Sequence, residues 1–207
     1  MTVKDIETTV AKKGDQTKAA ILSQALDLAG RDGLEGLTIG LLAERMQMSK
    51  SGVFAHFGSR EDLQVAVVKE YHRRFQESVF EPALKKPRGL PRLQEMLNRW
   101  IAQRVHELTT GCIYISGAVE FDDRPGLVRD QLVESVQTWR QAILRAIRLS
   151  VEEGHLKKST KPEAVLFLIY SIVLGLHHDA KFLHIDGSVD MAKRAIKQII
   201  EDNKNGI

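Results

Sequence analysis

The chain has one cysteine among 207 residues, five prolines and two tryptophans. A lone thiol, Cys112, cannot close an internal disulfide, so the fold must hold by packing, as suits a reducing cytoplasm. Scarce proline leaves long stretches rich in Ala, Leu, Glu, Lys, Arg and Gln free to be helical. No apolar segment follows the polar start MTVKDIETTVAKKGD, so no signal peptide is expected. The most apolar run, Ala164 to Leu176, is shorter than the roughly 20 residues of a bilayer span. It fits a buried helix, and no membrane partner is expected. Also missing are G-x-S-x-G, a P-loop and G-x-G-x-x-G. Gly30, Gly33 and Gly36 have the wrong spacing and follow no strand. Neither an enzyme nor a bound cofactor is expected. Charge of one sign is lacking where it would be most telling. Residues 1–80 hold 11 Lys/Arg and 11 Asp/Glu, so the whole net charge of +3 lies beyond them. Any case for nucleic acid must rest on local placement.

What is present is helical periodicity almost throughout, and the expected class is all-α with about nine helices. Residues 1–15 are polar and aperiodic and read as a flexible arm. Ile21, Leu22, Ala25, Leu26, Leu28 and Ala29 mark an amphipathic helix that should stop at the glycines from 30 to 36. Thr38, Ser49 and Ser59 suit the N-caps of three further helices. The last of these carries Leu63, Val67, Tyr71, Phe75 and Val79 at i, i+4 spacing and should end near Pro82. KKPRGLP then separates a small domain, 16–82, from a larger helical one, 83–207. In the latter, helices are expected over Leu90 to Leu108, Pro125 to Glu153, Pro162 to Leu183 and Ser188 to Asn203, with a short segment at Gly111 to Glu120. The Pro162 helix is apolar nearly all round. Leu166, Ile169, Val173 and Leu176 form one row and Val165, Leu168, Ile172 and Gly175 another. Only one row can face its own core, so a second copy of the chain is expected on the other.

Two short helices joined by a tight turn, Thr38 to Met46 and Ser49 to Phe57, have the dimensions of a helix-turn-helix. Val53, Phe54 and Phe57 should face the small domain's core, leaving Lys50, Ser51, Gly52, Ala55 and His56 outside. On pattern alone an ordinary helical hairpin fits as well.

The stretch TIGLLAERMQMSKSGVFAHFGSREDL, Thr38 to Leu63, closely resembles the N-terminal signature of TetR/AcrR-type regulators. GCIYISGAVEFDDRPGLVRDQL, Gly111 to Leu132, is similar to part of one branch of that family's ligand domains. The resemblance implies a cytoplasmic, dimeric, sequence-specific DNA-binding repressor. It would sit on a palindromic operator in double-stranded DNA and be released by a small-molecule effector. Carried over by position, it implies backbone-phosphate contacts by Thr38, Ser49, His56 and Arg60, and base proximity for Lys50, Ser51 and Gly52. Phe54 stands where the family usually has a phosphate-binding Tyr, so its ring can pack but one hydrogen bond is missing. Arg60 replaces the usual Lys. The same resemblance implies a cavity in the C-terminal half, for which Trp100, Phe121, Trp139, Ile143, Tyr170 and Leu174 are candidate lining and Arg104 and His178 candidate polar contacts.

Two other readings remain on the residues themselves. His177, His178 and Asp179 could serve a helical enzyme or metal protein, although Lys181, one turn from His177, is a poor neighbour for a metal and no metal site is expected. A DNA-architectural protein without sequence preference is the other. Cys112 reads as a small buried hydrophobe.

Overall fold

A computed structural model describes residues 3–206, with side chains from Gly14 onward; among these it holds nine helical rods and no strand. The rods are α1 (Val3–Gly36), α2 (Ile39–Arg45), α3 (Lys50–Phe57), α4 (60–84), α5 (Leu90–Thr110), α6 (Ile113–Phe121), α7 (Leu127–Glu152), α8 (Pro162–Phe182) and α9 (Ser188–Asn203). Of the arm expected over residues 1–15, the backbone from Val3 onward belongs to α1, and side chains are described only for Gly14 and Asp15. One hydrophobic core runs through both halves of the chain, from Ile21 to Ile200.

The three short-range caps form as their chemistry dictates. Thr38 Oγ1 accepts the Leu41 amide, Ser49 Oγ accepts that of Gly52, and Ser59 Oγ accepts that of Asp62. Ser59 also donates to the Asp62 carboxylate at 2.6 Å, closing the start of α4 in both directions. The row Leu63, Val67, Tyr71, Phe75 and Val79 is buried as its spacing requires. After Phe75 the helix widens into a π turn, Gln76–Phe80, and continues through Glu81–Leu84. The wide turn lies just before Pro82, which has no amide hydrogen for the regular ladder.

Longer-range packing adds detail to two helix ends. First, α1 ends within the expected stretch of glycines from 30 to 36. It breaks at Gly33, whose φ of +79° an L-residue rarely adopts. Glu120 of α6 enters this break and accepts the amides of Leu34 (3.3 Å) and Glu35 (2.7 Å). From the other side, Gln64 of α4 donates to the Leu34 carbonyl at 2.6 Å, and Arg124 pairs with Glu35 at 3.0 Å. Residues 33–37 are thereby held from both domains. A second joint lies beside it: a Cβ on Gly111 would overlap the Gly30 carbonyl oxygen, so the two backbones touch with nothing between them.

Second, α8 keeps close to its expected span, Pro162 to Leu183, by continuing through its own π turn, His178–Phe182, to 21 residues. It is the one helix among the described residues long and apolar enough to cross a membrane by length and composition. Val165, Leu166, Ile169, Val173 and Leu176 are nevertheless buried within the protomer. Of the outer row expected on α8, Val165 belongs instead to the buried side, one turn from Ile169. Phe167, Leu168, Leu174, Gly175 and His178 lie on the exposed side, continuing to Phe182.

Candidate functional site

The turn between α2 and α3 is closed by backbone bonds from Met46 to Leu42 and from Met48 to Ala43, with Gln47 at φ +53°. Only two α3 side chains turn into the core, Val53 and Phe57, one helical turn apart; Lys18 Nζ stands 5.6 Å from the Phe57 ring centroid. The expectation that Phe54 joins them is wrong. It is 53% exposed, because a residue directly after Val53 is rotated about 100° off the inward row. Lys50, Ser51, Phe54 and Ala55 are exposed together, with Gly52 and His56 half-buried among them. A Cβ on Gly40 would stand 3.3 Å from Lys50 Cε, so this glycine leaves room for the lysine stem beside the α2 N-terminus.

The capping hydroxyls of Thr38 and Ser49 accept from backbone and still carry a hydrogen to donate. Ser49 Oγ and Ser51 Oγ lie 3.1 Å apart. Arg60 behaves differently. Its Nε donates to the Leu37 carbonyl at 3.0 Å and its Nη2 to the Glu35 carbonyl, so the guanidinium ties α4 to the α1–α2 connection. Arg45, at the end of α2, was missed from sequence. It is exposed beside the turn and has no ion pair among the described residues. The signal that could have found it is a cation at the last helical position before the turn.

In the larger domain, the expected lining residues separate. Trp100, Trp139 and Tyr170 do come together: the Trp100 ring is 5.6 Å from Trp139 and 5.0 Å from Tyr170. Phe75 of α4 meets Trp139 edge-on at 4.9 Å, so the cluster reaches the helix that enters the small domain. Ile143 is fully buried. Leu174 and His178 are on the exposed row of α8. Arg104 is not on a cavity wall but in a buried network. It and Glu107 are each 2% exposed and pair at 2.5 Å. Arg104 donates to Tyr71 Oη (2.9 Å) and to Cys112 Sγ, and Tyr71 donates to Glu107 (2.6 Å). Burial opposes the Arg104 charge, but Tyr71, Cys112 and Glu107 outweigh it and hold the guanidinium above its usual pKa. Burial also pushes the Cys112 thiol up, which keeps it protonated.

Phe121 lines a cavity of about 360 Å³ between α6 and α7. Tyr114 lies on the same wall, and its hydroxyl shares a 2.5 Å hydrogen bond with His72 Nδ1 of α4. Its ring packs edge-on against Tyr71 (4.7 Å) and Phe75 (5.7 Å), also of α4. Burial lowers the His72 pKa and raises that of Tyr114, so both are neutral at pH 7. Near the end of α8, Lys181 Nζ donates to the Leu108 carbonyl at 2.9 Å and His178 Nδ1 lies 3.4 Å from Asp179. Among the described residues no three potential metal ligands converge.

Residues 21–67 match the family of bacterial regulatory proteins, tetR family, and residues 89–196 match the tetracyclin repressor-like C-terminal domain. The chain belongs to the TetR family. No curated protein matches it in sequence. Its fold is that of a TetR regulator from Chloroflexus aurantiacus, with a TM-score of 0.84 at 20% identity over 93% of this chain and 98% of the other. A TetR-family regulator from Cytophaga hutchinsonii gives 0.79 at 17% identity, over 94% and 98%. A putative regulator from Saccharomonospora viridis, solved in complex with choline, gives 0.76 at 17% identity, over 93% and 100%. As a TetR-family protein the chain is a DNA-binding transcriptional regulator, with α2 and α3 as its helix-turn-helix, and not an enzyme.

Proposed function

We propose that the protein is a cytoplasmic, dimeric repressor that leaves a palindromic operator when a small molecule enters the larger domain. The observation that carries the DNA reading is the outer face of α3, where Lys50, Ser51, Gly52 and Ala55 keep side chains short or flexible around an exposed helix edge. Short side chains let that backbone approach base edges in a major groove. The Thr38 and Ser49 hydroxyls, His56, Arg45 and Arg60 flank it as phosphate contacts, Arg60 by exchanging a carbonyl for a phosphate oxygen. The Phe54 ring takes the sugar edge.

Selection of bound sequences from a random DNA pool tests the reading, and enrichment of a palindrome is the expected outcome. A pool recovered without sequence preference would favour a DNA-architectural role. Placing a negative charge on α3 should then abolish operator binding. Ser51 is the better site than Gly52, where a Cβ would crowd the Ser49 cap oxygen at 3.1 Å. Ser51→Glu puts an acid in the first helical turn, which the helix dipole tolerates. Operator affinity should fall about 100-fold or more with the thermal melt unchanged. Unaltered gel retardation would remove α3 from the interface.

Dimerisation is supported by the exposed row on α8, with Phe167, Leu168, Leu174 and Phe182 all in solvent on one protomer. Covering each large side chain is worth roughly 1.5–3 kcal/mol. Two reading helices could then meet half-sites about 34 Å apart. A Cβ on Gly175 meets nothing within the protomer. Gly175→Glu should therefore leave the fold intact and shift sedimentation from dimer to monomer, with operator affinity collapsing. A variant that stays dimeric would place the interface elsewhere.

Effector release is supported by α4. It starts two residues after α3 and carries Tyr71, His72 and Phe75 into the larger domain, so displacement there moves the reading helix. Such couplings amount to about 1–3 kcal/mol.

A further inference from the structure

We infer that the cavity between α6 and α7 is the effector site and that it takes an elongated, apolar carboxylate, with Arg140 as the anion receptor. This rests on the repressor reading above and gives its ligand a chemical class. The α7 wall is one helix face: Arg129, Leu132, Val133, Val136, Gln137 and Arg140 follow each other at three- and one-residue steps. Gly117, Ala118 and Phe121 of α6 close the other side. The space is thus apolar along its length, with Arg140 at one end and Arg129 together with the acidic Asp122 at the other, about 16 Å apart by helix rise. Its volume of about 360 Å³ spread over that length suits an extended chain rather than a fused polycycle.

The two arginines are not equivalent. Arg129 donates to the Asp122 carbonyl at 3.2 Å and braces the loop between α6 and α7. Arg140 is half-buried, with its guanidinium carbon 4.4 Å from the Tyr170 ring centroid, and has no carboxylate partner among the described residues. A partly desolvated guanidinium, oriented by an aromatic face and lacking a counter-ion, is prepared to bind a carboxylate through two nitrogens. Tyr114 shares the same cavity, and a ligand pressing on its ring acts on α4 through His72, Tyr71 and Phe75.

Decanoate, decanol and decylamine serve as probes, each titrated calorimetrically into the full-length protein and each added to an operator retardation assay. Decanoate should bind at least about tenfold tighter than either analogue, the scale of one charge-assisted contact. Arg140→Gln should erase that preference. Val133→Trp, which enters the cavity from its exposed rim, should abolish binding without touching the arginine. Tyr114→Phe keeps the ring and loses the His72 bond, so it should bind decanoate within about twofold yet no longer release DNA. Equal binding of the three probes, no binding of decanoate, or an Arg140→Gln variant with its preference intact would overturn the assignment. The calorimetry reads the cavity whatever the DNA does. Failure of the unliganded protein to retard any DNA would instead strike the repressor reading.

Discussion

Gly111→Ala should cost about 3 kcal/mol or more and lower the melting temperature by roughly 6–12 °C, among the largest effects of any single methyl in this protein. Two costs combine at this position. Gly111 ends α5 at φ +88° and ψ +158°, a region that only glycine occupies without strain of about 1–3 kcal/mol. The added carbon would also overlap the Gly30 carbonyl, and backbone cannot rotate aside as a side chain can. Either α1 moves away from the α5–α6 junction or the junction unwinds. Gly154→Ala is the control, since it has φ +72° but nothing within 4 Å of the added carbon. It should show the conformational cost alone. Circular dichroism melts of the two variants decide the matter, and equal losses would mean that the Gly30–Gly111 contact carries no strain when filled.

Arg104→Ala should be comparably damaging, at about 3–5 kcal/mol, because it strands Glu107 as an unpaired charge in the core. Tyr71 would lose a donor at the same time, and Cys112 its cationic neighbour. A buried ion pair is nevertheless weak evidence of net stabilisation, since both charges were taken from water. The triple variant Arg104→Met, Glu107→Leu, Tyr71→Phe removes the network without leaving an unpaired buried charge, and only the half-buried Gln103 amide loses an acceptor. It should therefore unfold at higher denaturant than Arg104→Ala. A triple variant less stable than the single one would show that the polar network holds the core by more than mutual neutralisation.

Local chemistry was legible in the sequence, and distant geometry was not. Thr38, Ser49 and Ser59 could be read as caps because each hydroxyl needs only an amide three residues away. The α4 row and the ends of α9 followed from periodicity in the same way. Phe54 failed because hydrophobicity was taken as inwardness, whereas an eight-residue helix already had Val53 and Phe57 to fill its inner face. Arg60 shows the limit for long side chains: its position at a helix start was readable, but the carbonyls it reaches belong to residues 23 and 25 places earlier. Arg104 was read as a free polar group since nothing in the sequence says that Glu107, one turn away, is buried with it. The Tyr114–His72 bond spans 42 residues and joins two helices with no shared motif.

The break in α1 bears on how such regulators can be recombined. Cutting between α4 and α5 looks like a clean way to transplant a DNA-reading head, because the sequence there is a loop. Glu120 and Arg124, however, lie beyond that cut and supply the acceptors and the counter-charge for residues 34 and 35. A head moved without them arrives with two amides facing a foreign surface. Chimeras should therefore work with recipient domains that present a carboxylate at the position of Glu120, or with grafts that carry α6 along with the head.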